Sequence, residues 1–198
     1  MNSQHSSQSN EHYTPAEIIR SVHSVLDNIE LDPASCELAN RVVRAKRIFT
    51  IEDNALEKEW KAKTVFLNPP GGKIKNKSSQ ALFWNKLVQE YCLDNIDSAI
   101  FLAFSLELIP KCLNVLHFPV CFVGKKSSTS SVSCVTGSGR IRFDTISENG
   151  ERTSSSAPTH GNFIVLLPNG FEQIDRFRNT FSKYGFVVIG EDFRGETA

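Results

Sequence analysis

The stretch VFLNPPGGK, Val65 to Lys73, is the most sharply punctuated part of the chain and decides its fold. Three apolar residues run into Asn68, and two prolines and two glycines follow. Proline fixes φ and has no backbone N–H, so the pattern predicts a hydrophobic strand whose last side chain, an amide, is held in one direction. In open α/β sheets ligands bind beyond the carboxyl ends of strands. Asn68 is therefore a candidate site residue, and a simple strand terminator is the structural alternative.

The chemistry of an amide beside two prolines suits the recognition of an amino group. An exocyclic amine on a nucleobase is planar and a poor nucleophile, and it carries two N–H donors. The Asn68 side-chain oxygen and a proline-flanked backbone carbonyl supply two acceptors, while the prolines contribute no competing donor. The motif therefore favours alkylation at an amino group.

A second polar motif ends another predicted strand. IELDPAS reads as a short strand, Ile29 to Leu31, followed by Asp32 and Pro33. Because carboxyl ends of parallel strands meet at one edge of a sheet, the two motifs indicate a single site. The alternative interpretation of Asp32-Pro33 is a turn before a helix.

Composition indicates one ordinary globular domain. The chain has 198 residues, 40% hydrophobic and 22% charged, with 22 basic and 22 acidic residues, so no global field favours a polyanionic partner. Residues 1–12 are polar and predict a disordered tail, and 13–198 predict a single domain. Five cysteines without a CxxC pair, and no apolar signal core, predict a reduced cytosolic protein without structural zinc. No apolar run approaches the roughly 20 residues of a membrane-spanning helix.

Hydrophobic periodicity predicts alternating strands and helices, and hence a three-layer α/β sheet. Thr14 is the predicted N-cap of a first helix, with Pro15 and Glu17 completing a capping box. SAIFLAF is typical of a strand covered on both faces. FEQIDRFRNTFSKYG is amphipathic, and Gly185 is its predicted stop.

Four motifs in order resemble a known family. YTP at 13–15, LDPAS at 31–35, FTIEDNAL with Trp60, and VFLNPP at 65–70 are similar to those of phage-type DNA adenine-N6 methyltransferases, the Dam-like enzymes of phages and prophages. The resemblance covers about Tyr13 to Arg142. It implies a Rossmann-like methyltransferase sheet in a shortened version, a site-specific adenine methyltransferase using S-adenosylmethionine, and double-stranded DNA with a flipped adenine as partner. It also implies a cytoplasmic location, in bacterial or phage-infected host cytosol.

The resemblance assigns roles by position. Asn68, Pro69 and Pro70 would hold the target adenine, the Pro69 carbonyl sharing its amine, for direct in-line transfer without a covalent enzyme intermediate or a metal. Asp53 would bind the cofactor's adenine amino group, and Glu52 is a candidate for its ribose. The other residues implied to bind the cofactor are Tyr13, Thr14, Pro15, Asp32, Pro33, Ala34 and Ser35. Read without the resemblance, Asp53 could instead cap a helix.

The fourth position of the catalytic motif departs from the family. An aromatic ring that stacks on the flipped base is usual there, whereas this chain has Gly71. Tyr91, Phe83 and Trp84 are candidate replacements, with helix core as their alternative.

Basic residues near the motif are candidates for DNA contact, together with Gly71. They are Lys73, Lys75, Arg140 and Arg142, for which a solvated loop or structural salt bridges are the alternatives.

Two other functions fit the same motifs. The amine could belong to an RNA base or a protein glutamine, or the chain could be a noncatalytic module that binds cofactor or nucleic acid. Related cytosine-N4 enzymes commonly carry Ser or Asp where this chain has Asn68, which favours adenine.

Overall fold

The fold comprises eleven strands and four α-helices in a computed structural model that describes residues 12–125, 132–146, 152–154 and 160–190. The strands are β1 (Leu31–Asp32), β2 (Arg47–Ile48), β3 (Ala62–Leu67), β4 (Lys73–Ile74), β5 (Lys77–Ser78), β6 (Ile96–Ala103), β7 (Val120–Val123), β8 (Asp144–Ile146), β9 (Arg152–Ser154), β10 (Phe163–Leu167) and β11 (Gly185–Val188). The helices are α1 (Ala16–Leu26), α2 (Glu37–Val43), α3 (Ser79–Cys92) and α4 (Phe171–Phe181). Three 3-10 helices cover Ile51–Asp53, Leu106–Lys111 and Leu113–His117.

Seven strands form the central sheet, in the order β11-β7-β10-β6-β3-β1-β2. β1 is parallel to β2 and β3, and β3 is parallel to β6. β10 lies antiparallel between β6 and β7, and β11 is antiparallel to β7. Five strands therefore run one way and two the other, so the carboxyl ends of β1, β2, β3 and β6 share one edge.

Helices cover both faces of this sheet, which confirms the predicted three-layer α/β architecture. Alternate residues of β3 point to opposite layers, with Phe66 in the core under α1 and α4, and Val65 and Leu67 in the core under α3. The same alternation continues in β6. Burial on both faces explains why these strands read as continuous apolar runs.

The shortened connection between the two site strands is also present. β1 and β2 have two residues each, and the 3-10 turn Ile51–Asp53 stands in the described chain where a longer unit would place a helix. The strand predicted at Ile29 to Leu31 begins two residues later and ends one residue later, so that Asp32 belongs to the strand itself.

The predicted start of the first helix is wrong by one residue. Pro15, with extended ψ of 141°, is the cap of α1, and no side chain caps the helix. Thr14 is 4% exposed and lies one residue before the cap, so the capping box predicted with Glu17 does not form.

Gly185 is not a helix stop either. Helix α4 ends at Phe181, and Gly185 begins β11, where a Cβ atom would lie 1.9 Å from the carbonyl oxygen of Phe122. The glycine is required by close strand approach rather than by helix termination.

The tail predicted to be disordered comprises residues 1–12. Residues 1–11 lie outside the part of the chain that the structure describes, and His12 lies within it. Among the described helices, none has the length and apolar character needed to cross a membrane.

Candidate functional site

Two predicted site motifs meet at one edge of the sheet. β1 and β3 are parallel neighbours, with Leu31 opposite Val65, so Asp32 and Asn68 both lie at the carboxyl end. We call this edge the carboxyl rim and define it by residues 12–15, 32–35, 68–72 and 104–105.

Asp32 is a buried carboxylate on the rim. It is 3% exposed, and its Oδ1 accepts a hydrogen bond from the Ala34 N–H at 3.2 Å. Its backbone carbonyl accepts the Phe49 N–H at 3.0 Å, which joins the end of β1 to the segment after β2. Burial raises the pKa of Asp32 to about 7, and the Ala34 N–H opposes that rise only in part.

Ser35 places a buried hydroxyl beside this carboxylate. It lowers the pKa of Asp32 less than the Ala34 N–H does, and its Oγ reaches hydrogen-bond geometry with no described residue. A buried hydroxyl without a partner is unusual in a folded protein. The end of β1 therefore offers a polar ligand both a carboxylate and a buried hydroxyl that lies near the carboxylate without completing a hydrogen bond of good geometry.

Asn68 is tied to the segment that precedes α1. Its Nδ2 donates a 3.0 Å hydrogen bond to the carbonyl oxygen of His12. Tyr13 exchanges two 2.8 Å backbone hydrogen bonds with Asp144, which fixes the same segment from its other side. No described residue donates to Asn68 Oδ1, so the acceptor of this amide is available while its donor is engaged.

The neighbouring residues of both motifs are brought to the rim as expected. Tyr13, Thr14 and Pro15 are buried beside the His12 carbonyl that holds Asn68. Pro69 is buried and Pro70 is exposed. Pro33 is buried and Ala34 is half-buried at the end of β1.

Asp53 lies in the 3-10 turn after β2 and is engaged in local structure. Its Oδ2 accepts the Thr50 N–H at 2.8 Å and the Thr50 hydroxyl at 3.1 Å, which completes a capping box. The Lys58 ammonium, 2.5 Å from Oδ1, together with these bonds lowers the pKa of Asp53 to about 2. Asp53 is thus the third residue of a turn whose cap is Thr50, not the cap of a following helix, and its contact with a cofactor stays a prediction. Glu52 is exposed on the same turn.

The candidate DNA contacts lie in two places beside the rim. Lys73 and Lys75 are exposed on the β4–β5 hairpin, which directly follows Gly71 and Gly72 and was expected to be a loop. Arg142 is exposed and Arg140 half-buried, and Ile141 between them donates its N–H to Asn162 Oδ1 at 2.8 Å. The structure thus brings the hairpin and the 140–142 segment toward one edge.

The three suggested stacking rings do not reach this edge. Trp84 and Phe83 are buried in the core under α3, with Trp84 packed edge-on against Phe101. Tyr91 donates its hydroxyl hydrogen to the Pro168 carbonyl at 2.6 Å, at the opposite edge of the sheet. Helix amphipathicity places all three in the apolar layer, so this suggestion is wrong.

One aromatic residue of the rim was missed. Phe104 immediately follows β6, and its backbone is held by the side chains of Gln80 and Asn162. Its position at the carboxyl end of an apolar strand is the same signal that identified Asn68.

Comparison with known proteins gives one result. The family model described as DNA N-6-adenine-methyltransferase (Dam) matches residues 2–184, which is most of the chain. Searches of curated proteins and of solved structures found no match. The seven-stranded α/β sheet is the Rossmann-like fold of a methyltransferase, and the chain belongs to the DNA N-6-adenine-methyltransferase (Dam) family.

Proposed function

We propose that the protein transfers a methyl group from S-adenosylmethionine to the N6 amino group of a specific adenine in double-stranded DNA. The observation that carries the proposal is the Asn68 amide at the end of β3. Its Nδ2 is committed to the His12 carbonyl, and its Oδ1 is available beside two prolines. The family match to residues 2–184 supports the same reaction.

The end of β1 fits the cofactor. The buried Ser35 hydroxyl without a described partner and the buried Asp32 carboxylate can bind hydroxyl or amine groups of S-adenosylmethionine. Tyr13, Thr14 and Pro15 would bind it from the segment before α1. When bound, S-adenosylmethionine supplies an electrophilic methyl group on a positively charged sulfur.

Asn68 and Pro69 would orient the adenine amine. The amine has two N–H donors, of which Asn68 Oδ1 accepts one and the Pro69 backbone carbonyl accepts the other. Because both prolines lack a backbone N–H, no donor from them competes for these acceptors. The two bonds fix the nitrogen so that its lone pair is directed at the methyl carbon, and preorganised contacts of this kind lower the barrier.

DNA binding would depend on local charge, because the formal net charge is zero. Lys73 and Lys75 on the hairpin, together with Arg142, would contact backbone phosphates, which positions the duplex without reading its sequence. A flipped adenine would then enter the rim between the hairpin and the 12–15 segment.

The test is methyl transfer from labelled S-adenosylmethionine to unmethylated genomic DNA, followed by digestion to nucleosides and mass spectrometry. We expect N6-methyldeoxyadenosine with the unaltered protein, its loss with Asn68→Ala, and its retention with Asn169→Ala, an exposed Asn at the opposite edge. A protein that binds the cofactor but methylates no deoxynucleoside would overturn the proposal.

A further inference from the structure

We infer that Phe104 is the ring on which the target adenine stacks, in place of the aromatic residue missing at Gly71. The assignment rests on the proposed function and names a substrate-binding residue of the same site.

Phe104 is set apart from the other rings by its packing. Most aromatic side chains in the described ranges belong to one of the two apolar cores, and those that do not are Tyr13, Phe104, Phe171 and Phe186. Phe171 begins α4 at the opposite edge, and Phe186 lies on the edge strand β11. Tyr13 is 9% exposed, whereas Phe104 is half-buried. Phe104 is therefore an aromatic residue of the rim that is partly exposed and belongs to neither core.

The register of the sheet places Phe104 beside the catalytic motif. Leu67 of β3 pairs with Phe101 of β6, so Phe104 is level with Pro70. Side chains alternate between the layers, and Leu67 and Phe101 both face α3, so Asn68 and Phe104 both face the α1 side. Asn68 lies one strand away from Phe104 and two residues back along the strand direction, so about 8 Å separates the two Cα atoms. A flat base in van der Waals contact with the ring fits in this space.

Two buried amides fix the backbone of Phe104. Gln80 Oε1 accepts the Phe104 N–H at 2.9 Å, and its Nε2 donates to the Ser105 carbonyl at 3.1 Å. Asn162 Nδ2 donates to the Phe104 carbonyl at 3.0 Å. Gln80 and Asn162 are each 2% exposed.

One aromatic neighbour lies beside Phe104. The exposed His160 ring is steeply inclined to it, with 6.2 Å between the centroids and 70° between the ring planes. Phe104 therefore has a fixed backbone and a partly exposed side chain that can stack on a base.

The test compares Phe104→Leu, which keeps an apolar side chain of similar size, with Phe104→Tyr, which keeps the ring. Sequencing of methylated DNA first defines the target site, and duplexes with that site serve as substrate. We expect Phe104→Leu to lower kcat/KM for DNA roughly 5- to 150-fold, the range of base–aromatic stacking. Phe104→Tyr should stay within a few-fold of the unaltered protein, and so should the control Phe171→Leu on an exposed ring at the opposite edge.

Cofactor affinity and a fluorescent base separate stacking from a structural role. The Kd for S-adenosylmethionine should be unchanged in Phe104→Leu. With 2-aminopurine at the target position, the complex of Phe104→Leu should fluoresce more brightly because the quenching ring is gone. If Phe104→Leu and the unaltered protein had equal kcat/KM, or if Phe104→Leu lost cofactor affinity to the same extent as kcat/KM, the assignment of Phe104 would be overturned and the proposed function would stand. Absence of DNA methylation by the unaltered protein would overturn the proposed function and the assignment with it.

Discussion

The Asn68 amide donates its hydrogen bond to the carbonyl oxygen of His12, 56 residues earlier in the chain, at 3.0 Å. This bond fixes which atom of the amide faces the site, because with Nδ2 engaged, Oδ1 is the atom left for a substrate amine. It also anchors the segment that carries Tyr13, Thr14 and Pro15.

Replacing Asn68 by Asp tests both roles at once. The variant keeps an acceptor but places a second carboxylate oxygen against the His12 carbonyl, which repels it. We expect methyl transfer to fall by at least about 100-fold, as when one preorganised hydrogen-bonding group is removed from an active site. The Tyr13 amide, which donates to Asp144, should exchange hydrogen faster. Exchange and activity both equal to those of the unaltered protein would contradict the anchoring role.

The pKa of Asp32 predicts how the stability of the cofactor-free protein depends on pH. Its pKa is raised from 3.8 to about 7, so between these values the folded state holds a proton that the unfolded state has lost. Stability should therefore fall as pH rises through this range, by roughly 4 kcal/mol at most for about three pKa units. Asp32→Asn should remove this slope and be more stable above pH 7, measured by urea unfolding from pH 4.5 to 8. Asp97→Asn, on an exposed residue of β6, is the control, and an unchanged slope in Asp32→Asn would contradict the prediction.

A ring introduced at Gly71 should compensate for the loss of Phe104. A Cβ at Gly71 has no atom within 4 Å, and its φ is not positive, so an aromatic side chain can be accommodated. We expect Phe104→Leu with Gly71→Tyr to recover most of the kcat/KM lost in Phe104→Leu alone. The double variant could instead be as slow as Phe104→Leu although it is folded and binds the cofactor. That result would show that the two positions do not serve one stacking site.

The lysines of the hairpin should set the salt dependence of DNA binding. Removing one lysine that binds a phosphate lowers the slope of log K against log salt by about 1. Lys73→Gln and Lys75→Gln should each reduce this slope and weaken binding to all sequences alike. Lys63→Gln, on an exposed lysine near the start of β3, is the matched control. If both variants had the same salt slope as the unaltered protein, the hairpin lysines would not bind DNA phosphates.

Gly185 should tolerate no side chain. Its Cβ would lie 1.9 Å from the Phe122 carbonyl oxygen, whereas Gly137 has open space around it. Gly185→Ala should therefore cost more than about 2 kcal/mol of unfolding free energy, and Gly137→Ala less than about 0.5 kcal/mol. Equal urea midpoints for the two variants would contradict the close approach of β7 and β11.

The parts of the fold that the sequence predicts are those whose burial is local and periodic. β3 and β6 are covered on both faces and read as apolar runs, and the apolar stripes of α1 and α4 follow the helical repeat. β1 and the hairpin strands have two residues each, too few for any periodicity. They are defined by hydrogen bonds to neighbouring strands, so their bounds were missed.

The site divides in the same way. Asp32 and Asn68 were predictable because each is a polar residue at the carboxyl end of a predicted strand. Phe104 also follows an apolar strand, but its side chain is apolar like the strand and does not stand out; its backbone is fixed by Gln80 and Asn162, which lie 24 and 58 residues away in the chain. Interactions over such separations leave no pattern in a local window of sequence.

The antiparallel insertion of β10 affects when the carboxyl rim is completed during synthesis. β10 returns its amino end to the rim and brings Asn162, which holds the carbonyl of Phe104. Asn162 is synthesised 94 residues after Asn68, and α4, which packs in the same core as α1, is synthesised later still. A growing chain on the ribosome thus carries the Asn68 motif long before the edge around it is complete. The carboxyl rim is therefore complete only after β10 has been synthesised.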